Sequence, residues 1–332
     1  MSFLRIISFA LLIAAFVGGG PMAAEAQQDR DTSPTLSARG LFRIGYLRRE
    51  ETGHPGEGEL DALKQSLLAN ATIGASLHAD GYTGIGIFPC DGPADMLRRM
   101  NAREFDIAFT PASLYLQQQS ASSEQSSYTA ILMARRADDT FSATNTVLRY
   151  GVVIASSRSP LFSKDKITAA DIQEALHRRP IGVVSTQSVA GFYAPLLTLA
   201  VRYQTDPVTP GMTYYETSEE VVKAVISGLV DVGACEEAAI DRVLKASGLD
   251  GRKSELIRIV IRTDPTLTDP IVVKASLAER NTPLVRALTT GIRDFFVTQR
   301  SDLQYVPTDD REYARLKQML KEFNLRFGQL NP

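Results

Sequence analysis

The fold is decided by the stretch Pro180-Ile181-Gly182-Val183-Val184-Ser185-Thr186-Gln187-Ser188-Val189-Ala190-Gly191-Phe192-Tyr193-Ala194-Pro195. In it a short apolar run gives way to a cluster of hydroxyl and amide residues. Apolar residues at helical spacing then resume with Leu196, Leu197 and Leu199. This pattern predicts a buried strand, a tight loop and the start of a helix.

The loop of this stretch is a candidate anion site. The first turn of a helix has backbone N–H groups without partners and the positive end of the helix dipole, so Ser185, Thr186, Gln187 and Ser188 can hold a small oxyanion there. The alternative is that Ser185 or Ser188 only caps the helix, since serine is a preferred N-cap residue. The residues of this stretch leave both interpretations open.

The first residues carry an export signal. Arg5 precedes an apolar run over residues 6–17, and Ala24-Glu25-Ala26 supplies a small-x-small cleavage pattern. We therefore expect a cleaved signal peptide over residues 1–26 and an exported protein. Residues 27–40 are polar and without period, and we expect them to form a disordered leader.

Composition excludes several classes of protein. The chain of 332 residues has 36 Lys and Arg against 38 Asp and Glu, scattered along the sequence, so a nucleic-acid partner is not expected. No later apolar run reaches membrane-spanning length. Cys90 and Cys235 are the only cysteines, which excludes a disulfide scaffold. They can form one bridge or remain unpaired, and we favour unpaired thiols because the distance requirement of a disulfide is strict.

Strands and helices alternate along the chain, and one pattern occurs twice. Apolar residues lie at the same three offsets before Asp106 and Asp231, and each aspartate opens a short apolar strand. We expect an α/β protein of two similar lobes, each a mostly parallel sheet flanked by helices. The predicted boundaries are residues 41–134 plus 264–332 for the first lobe and 135–263 for the second.

The sequence gives little support for a catalytic function. The histidines lack the spacing of metal ligands, no nucleophile motif is present, and we expect neither a metal nor a cofactor. The acidic pairs at Glu219 and Glu236 fit the first turns of helices, where carboxylates suit the dipole. The main enzyme alternative would use Cys235 beside Glu236.

Several segments together resemble one family. Val183 to Gly191, with Pro195 after them, resemble the Ser-x-Ser-x-Gly loop of the PhnD-like phosphate, phosphite and phosphonate-binding proteins of ABC transporters, which are type 2 periplasmic binding proteins. The segments 219–225, 228–234, 105–109 and 269–273 resemble other elements of that family. The resemblance covers residues 42–332, and Ser218 stands where the family has a histidine.

This resemblance implies a periplasmic, two-lobed, non-catalytic binding protein. Two crossover strands would join the lobes, and a membrane permease of an ABC importer would receive the small anionic ligand. The protein would act as a monomer, and a receptor kinase in place of the permease is the alternative partner. By position, the ligand-binding residues would be Ser185, Thr186, Gln187, Ser188, Thr110, Ser113, Ser218, Glu219 and Glu236.

Overall fold

The computed structural model describes residues 40–48, 55–121, 127–136, 139–141, 147–208, 211–300 and 302–328. The predicted signal peptide and all but the last residue of the predicted leader lie outside the described residues. Strands and helices are numbered below in chain order.

The first lobe is a six-stranded sheet in the order β12-β4-β11-β3-β1-β2. Its strands are β1 (Leu41–Leu47), β2 (Gly84–Cys90), β3 (Ile107–Phe109), β4 (Tyr128–Arg136), β11 (Pro270–Lys274) and β12 (Leu303–Pro307). Its helices are α1 (Glu57–Ala69), α2 (Ala71–Ala79), α3 (Pro93–Asn101), α4 (Ala112–Ala121), α10 (Ala275–Arg280), α11 (Thr282–Gln299) and α12 (Ala314–Phe327). Leucines at helical spacing explain the buried face of α1, which contacts α11.

The second lobe contains a sheet with the strand order β10-β6-β9-β7-β8, and β5 pairs with β6 beside it. Its strands are β5 (Thr140–Phe141), β6 (Val147–Ser156), β7 (Ile181–Val184), β8 (Met212–Tyr215), β9 (Val232–Glu236) and β10 (Ile257–Thr266). Its helices are α5 (Ala169–Arg178), α6 (Ala194–Arg202), α7 (Ser218–Ser227), α8 (Glu237–Ala246) and α9 (Lys253–Leu256), with a π-helical turn at Val189–Tyr193 and a 3-10 turn at Asp250–Arg252.

The two lobes share one arrangement, as the repeated aspartate pattern predicted. In each, three neighbouring strands are parallel, β2-β1-β3 and β8-β7-β9. Asp106 and Asp231 directly precede the central strands β3 and β9. Antiparallel strands complete each sheet, so the sheets are mixed, where the sequence predicted mostly parallel ones. The reason is that one connection leaves the first lobe and the other returns, so the strands that carry them run in opposite directions.

The end of β4, where the chain leaves the first lobe, lies beside the segment through which the chain returns from the second lobe. One connection joins β4 to β6 and the other joins β10 to β11. Thr268 Oγ1 donates a hydrogen bond to the carbonyl oxygen of Ala134 at 2.5 Å, and the amide of Ala134 donates to the carbonyl of Asp269 at 3.0 Å. The end of β4 is therefore hydrogen-bonded to the segment between β10 and β11.

The C-terminal helix joins the cores of the two lobes. Leu316, Leu320 and Phe323 recur at helical spacing and form the buried face of α12. The ring centroid of Phe323 lies 4.7 Å from that of Tyr193 in the π turn of the second lobe. A single cluster of buried apolar residues consequently extends over parts of both lobes. The sequence analysis assigned residues 264–332 to the first lobe, and this helix also contacts the second.

Candidate functional site

The predicted strand, loop and helix of residues 181–202 are present. All four residues of β7 are buried, and the chain turns after it, with the amide of Ser188 donating to the carbonyl of Ser185 at 3.0 Å. Ser188 Oγ accepts a hydrogen bond from the amide of Gly191 at 3.0 Å. Ser188 therefore caps the helix, which confirms the capping interpretation for this residue.

The helix begins with a π turn, so its hydrogen bonds run from residue i+5 back to residue i. The amide of Tyr193 donates to the carbonyl of Ser188 at 3.4 Å, and the amide of Ala194 donates to the carbonyl of Val189. Being in the first turn, the amides of Val189 and Ala190 have no acceptor within the helix, and neither bonds to another described residue. Single π turns are frequent at functional sites, and exposed first-turn amides attract anions.

Two glycines permit this geometry. A Cβ on Gly191 would lie 2.6 Å from Val184 Cγ2 and 2.9 Å from Ser188 Oγ, so any side chain there would disturb the cap. A Cβ on Gly151 of β6 would collide with the carbonyl oxygen of Ala190 and lie 2.9 Å from Pro195 Cγ. The loop and π turn are thus held against the sheet at a distance that only glycine allows.

A small cavity of about 70 Å³ lies beside the π turn, where the lobes meet. This volume admits a few water molecules or one small solute. The residues that line the cavity are Ala134, Arg136, Arg149, Val184, Gln187, Ser188, Val189, Ala190, Thr217, Ser218, Glu219, Glu236, Arg242, Leu267, Thr268 and Asp269. They come from the end of β4, from the second lobe and from the connection between β10 and β11.

The cavity brings together part of the predicted site. Gln187, Ser188, Ser218, Glu219 and Glu236 all line it. Ser218 Oγ accepts a hydrogen bond from the amide of Glu236 at 3.0 Å, which leaves its own proton for another acceptor.

The other predicted residues lie outside the cavity lining. Thr186 is buried, and its Oγ1 accepts a hydrogen bond from Gln187 Nε2 at 3.0 Å. Ser185 belongs to the turn before Ser188. Thr110 is buried in the first lobe, whereas Ser113 donates from Oγ to the carbonyl oxygen of Gln187 at 2.9 Å. Ser113 and Gln187 therefore contact each other across the two lobes.

Three arginines at the cavity were missed by the sequence analysis. Arg136 ends β4, Arg149 lies in β6 and Arg242 lies in α8, and their guanidinium groups converge on the carboxylate of Glu236. Residues so distant in sequence show no common motif. The one available signal is Arg149, a charged residue within the otherwise apolar strand β6.

The three arginines keep the carboxyl group of Glu236 ionised. Burial raises the pKa of its carboxyl group, but the guanidinium groups of Arg149, Arg136 and Arg242 outweigh burial and hold this pKa at about 2. Glu236 is therefore an ionised carboxylate that only accepts hydrogen bonds.

The two thiols are unpaired, as expected, and both are fully buried. Burial raises the pKa of Cys90 to about 12 and also raises that of Cys235, beside which Glu236 adds a negative charge. Reactive cysteines have a lowered pKa and are partly exposed, so Cys235 lacks the environment of a nucleophile.

The described part of the chain holds neither a cluster of metal-ligating residues nor a helix that could span a membrane. No group of three or more His, Cys, Asp or Glu residues within it could hold a metal ion. None of its helices combines the length and the apolar character needed to cross a membrane.

Comparison with known proteins identifies the family. The model of the ABC transporter phosphonate periplasmic substrate-binding proteins matches residues 71–324. The chain belongs to this family, which is associated with transport and is not a class of enzymes. It is thus the substrate-binding component of an ABC transporter for phosphonates or related anions. A small anionic ligand and a membrane permease are the partners that this class implies.

Solved structures share the fold at low sequence identity. A binding protein component of an ABC phosphonate transporter from Pseudomonas aeruginosa is 15% identical with a TM-score of 0.53, over 86% of this chain and 87% of that one. PhnD1 from Prochlorococcus marinus in complex with methylphosphonate is 13% identical with a TM-score of 0.57, over 86% and 98%. A Xanthomonas citri protein bound to ATP is 15% identical with a TM-score of 0.59, over 87% and 99%. The search of curated proteins found no match to this sequence.

Proposed function

We propose that this protein captures a small phosphorus oxyanion, such as phosphate, phosphite or a phosphonate, in the cavity between its lobes and delivers it to an ABC permease. The observation that carries the proposal is the pair of first-turn residues Val189 and Ala190, which line a cavity of about 70 Å³ and whose amides bond to no other described residue. Anions bind well to such amides. Ser188 and Ser218 line the same cavity.

In this proposal the side-chain donors to the ligand are Gln187, Ser188 and Ser218, which line the cavity. Ser185, Thr186, Thr110 and Ser113 lie outside the lining and do not contact the ligand. Glu219 and Glu236 would accept hydrogen bonds from a protonated part of the ligand. In this proposal the two lobes move as rigid bodies, and the boundaries between them lie near residues 134 and 264, close to the ends of β4 and β10.

Binding would proceed by closure of the lobes. Ser113 Oγ donates to the carbonyl of Gln187 at 2.9 Å, so separation of the lobes breaks this contact and closure restores it. A ligand that is bound by both lobes favours the closed form by its difference in affinity for the two forms.

Thermal unfolding in the presence of candidate ligands tests the proposal. We expect phosphate, phosphite or methylphosphonate to raise the melting temperature by a few degrees, because a ligand at a hundred times its Kd stabilises the fold by about 2.7 kcal/mol. Carboxylates of similar size serve as the comparison. If no phosphorus oxyanion raises the melting temperature, the proposal is wrong.

A matched pair of variants locates the site. Ser188→Leu removes a helix cap and fills the cavity, whereas Thr168→Leu removes the cap of α5, where Thr168 Oγ1 accepts from the amide of Asp171 at 3.3 Å. Each variant should lose about 1 kcal/mol in the free energy of unfolding, because the substitution removes a helix cap. The ligand-induced shift should vanish in Ser188→Leu and persist in Thr168→Leu; loss of the shift in both variants would place the ligand elsewhere.

A further inference from the structure

Helix α4 of the first lobe contacts both ends of the segment 187–193 of the second lobe. Ser113 is fully buried, and its Oγ donates a hydrogen bond to the carbonyl oxygen of Gln187 at 2.9 Å. Four residues further along α4, the side chain of Gln117 hydrogen-bonds the hydroxyl oxygen of Tyr193. Because residues four apart lie on the same side of a helix, one face of α4 makes both contacts.

Two carboxylates fix α4 to the first lobe. Asp269 Oδ1 accepts a hydrogen bond from the amide of Ala112 at 2.8 Å, at the start of the helix. Three residues further, the hydroxyl group of Tyr115 donates to Asp310, whose Oδ1 also accepts from the amide of Ala130 in β4 at 2.7 Å. The helix is therefore a fixed support for the contacts that it makes with the second lobe.

The segment between these two contacts contains the proposed anion site. Ser188 caps the helix, and Val189 and Ala190 line the cavity with amides that bond to no other described residue. Both ends of this short segment are thus bonded to the first lobe, while its middle lines the cavity. A shift of either end would move the free amides relative to the rest of the cavity.

The contact with Ser113 also fixes the direction of one peptide group. The carbonyl is the negative end of the peptide dipole, so a carbonyl that faced the cavity would repel an anion. The carbonyl of Gln187 points to Ser113 instead, and Ser113 lies outside the cavity lining. The peptide group before Ser188 therefore turns its negative end away from the ligand.

We propose that Ser113 and Gln117 are positioning residues, which hold the segment 187–193 in the geometry that binds the ligand without touching the ligand themselves. This inference rests on the proposed function, and it gives the first lobe a role in binding other than that of a donor. When either contact is lost, the segment moves and the ligand dissociates faster.

The binding kinetics of methylphosphonate to the full chain test this role. Ser113→Ala should weaken binding about tenfold, mainly through faster dissociation, because affinity differences between related complexes lie mostly in that rate. Ser120→Ala is the matched control, since Ser120 Oγ donates to the carbonyl of Leu116 at 2.8 Å within the same helix. The control should bind as the wild type does. Equal affinities of Ser113→Ala and the wild type would overturn the inference.

A double-mutant cycle tests the second contact. Gln117→Leu and Tyr193→Phe each remove one partner of this hydrogen bond, and the phenylalanine keeps the ring that packs on Phe323. Each substitution should weaken binding about threefold to tenfold, and the double variant should bind no more weakly than the weaker single variant. Effects that multiply would show that the two residues act independently, and the role of Gln117 would be wrong.

Hydrogen exchange of the ligand-free protein separates a positioning role from a general loss of stability. The amides of Gly191 and Tyr193 bond to Ser188 and should exchange at least fivefold faster in Ser113→Ala. The amide of Ile172 in α5 should exchange at the wild-type rate. Equal acceleration at all three amides would mean that the substitution lowers only the overall stability, and the inference would be wrong.

The two measurements also separate this inference from the proposed function. If neither phosphate nor methylphosphonate binds to the wild type but Ser113→Ala accelerates exchange in the segment 187–193 alone, the proposed function is wrong and the first lobe still positions the segment. If the ligand binds and Ser113→Ala matches the wild type in affinity and exchange, the inference is wrong and the proposed function stands. Should Ser113→Ala fail to fold, the same measurements on Gln117→Leu decide.

Discussion

Glu236 forms a network of ion pairs that its sequence context did not indicate. The sequence placed it at the start of a helix beside a second glutamate, where a carboxylate suits the dipole. In the structure it ends β9 and is the N-cap of α8, as the sequence predicted, but it also faces arginines from β4, β6 and α8. Its environment depends on residues up to 100 positions away, and such contacts cannot be inferred from one sequence without knowing the fold.

The ion pairs of Glu236 should make stability depend on pH. Its pKa of about 2 in the folded protein lies below the ordinary value of 4.5, so its contribution is complete above about pH 4.5 and is lost as the pH falls towards 2. The difference corresponds to roughly 3 kcal/mol. Urea unfolding at pH 6 and pH 2.5 should show that Glu236→Gln loses less stability on acidification than the wild type.

The comparison needs a neighbouring carboxylate as its control. Glu237→Gln should lose stability on acidification nearly as much as the wild type, because Glu237 forms an ion pair whose side chains are partly exposed. Identical pH dependence in all three proteins would mean that Glu236 is not stabilised by its arginines.

Among the elements, the strand, loop and helix around the cavity were predictable and the π turn was not. An apolar run followed by hydroxyl residues and a helical apolar spacing predicted β7, the loop and α6. The hydrogen-bond register of Val189–Tyr193 depends on how closely β6 approaches Ala190, because Gly151 lies against that carbonyl. A contact between separate elements leaves no local signal in the sequence.

Gly151→Ala should displace the π turn. The added methyl group would press on the carbonyl oxygen of Ala190 and lie 2.9 Å from Pro195 Cγ, and neither backbone nor proline can move aside easily. We expect a loss of about 1–3 kcal/mol in the free energy of unfolding, and weaker ligand binding because the first-turn amides move. Chemical unfolding and calorimetric titration measure the two effects.

Gly58→Ala is the matched control for this variant. Gly58 lies in α1 with no atom within 4 Å of an added Cβ. Alanine is the better helix former, so this variant should be as stable as the wild type or more stable by up to about 1 kcal/mol. If Gly151→Ala behaves in the same way, the close approach of β6 does not shape the site.

At the scale of the whole molecule, the repeated aspartate pattern predicted the two-lobed architecture. It did not predict that α12 contacts both lobes. The repeat at Asp106 and Asp231 marks equivalent strands of the two sheets. The apolar face of α12 was evident from its spacing. Spacing does not show which surface a face covers, and Phe323 packs on Phe192 and Tyr193 of the other lobe.

Phe323→Ala should weaken the contact between the lobes. Phe323 is 1% exposed, and its loss leaves a cavity between α12 and the π turn. We expect a loss of about 3–5 kcal/mol in the free energy of unfolding, together with faster hydrogen exchange of the π-turn amides. Leu325→Ala, at a position 79% exposed on the same helix, should change stability by no more than about 0.5 kcal/mol. Equal effects of the two substitutions would show that the helix does not couple the lobes.

The burial of Cys90 and Cys235 has a practical consequence for following lobe motion. These are the only sulfhydryl groups in the sequence, and neither reaches the surface. A maleimide dye should leave them unmodified in the native protein, so one cysteine introduced on the surface of each lobe would carry the labels for a distance measurement. Opening and closing can then be observed by energy transfer without replacing either natural residue.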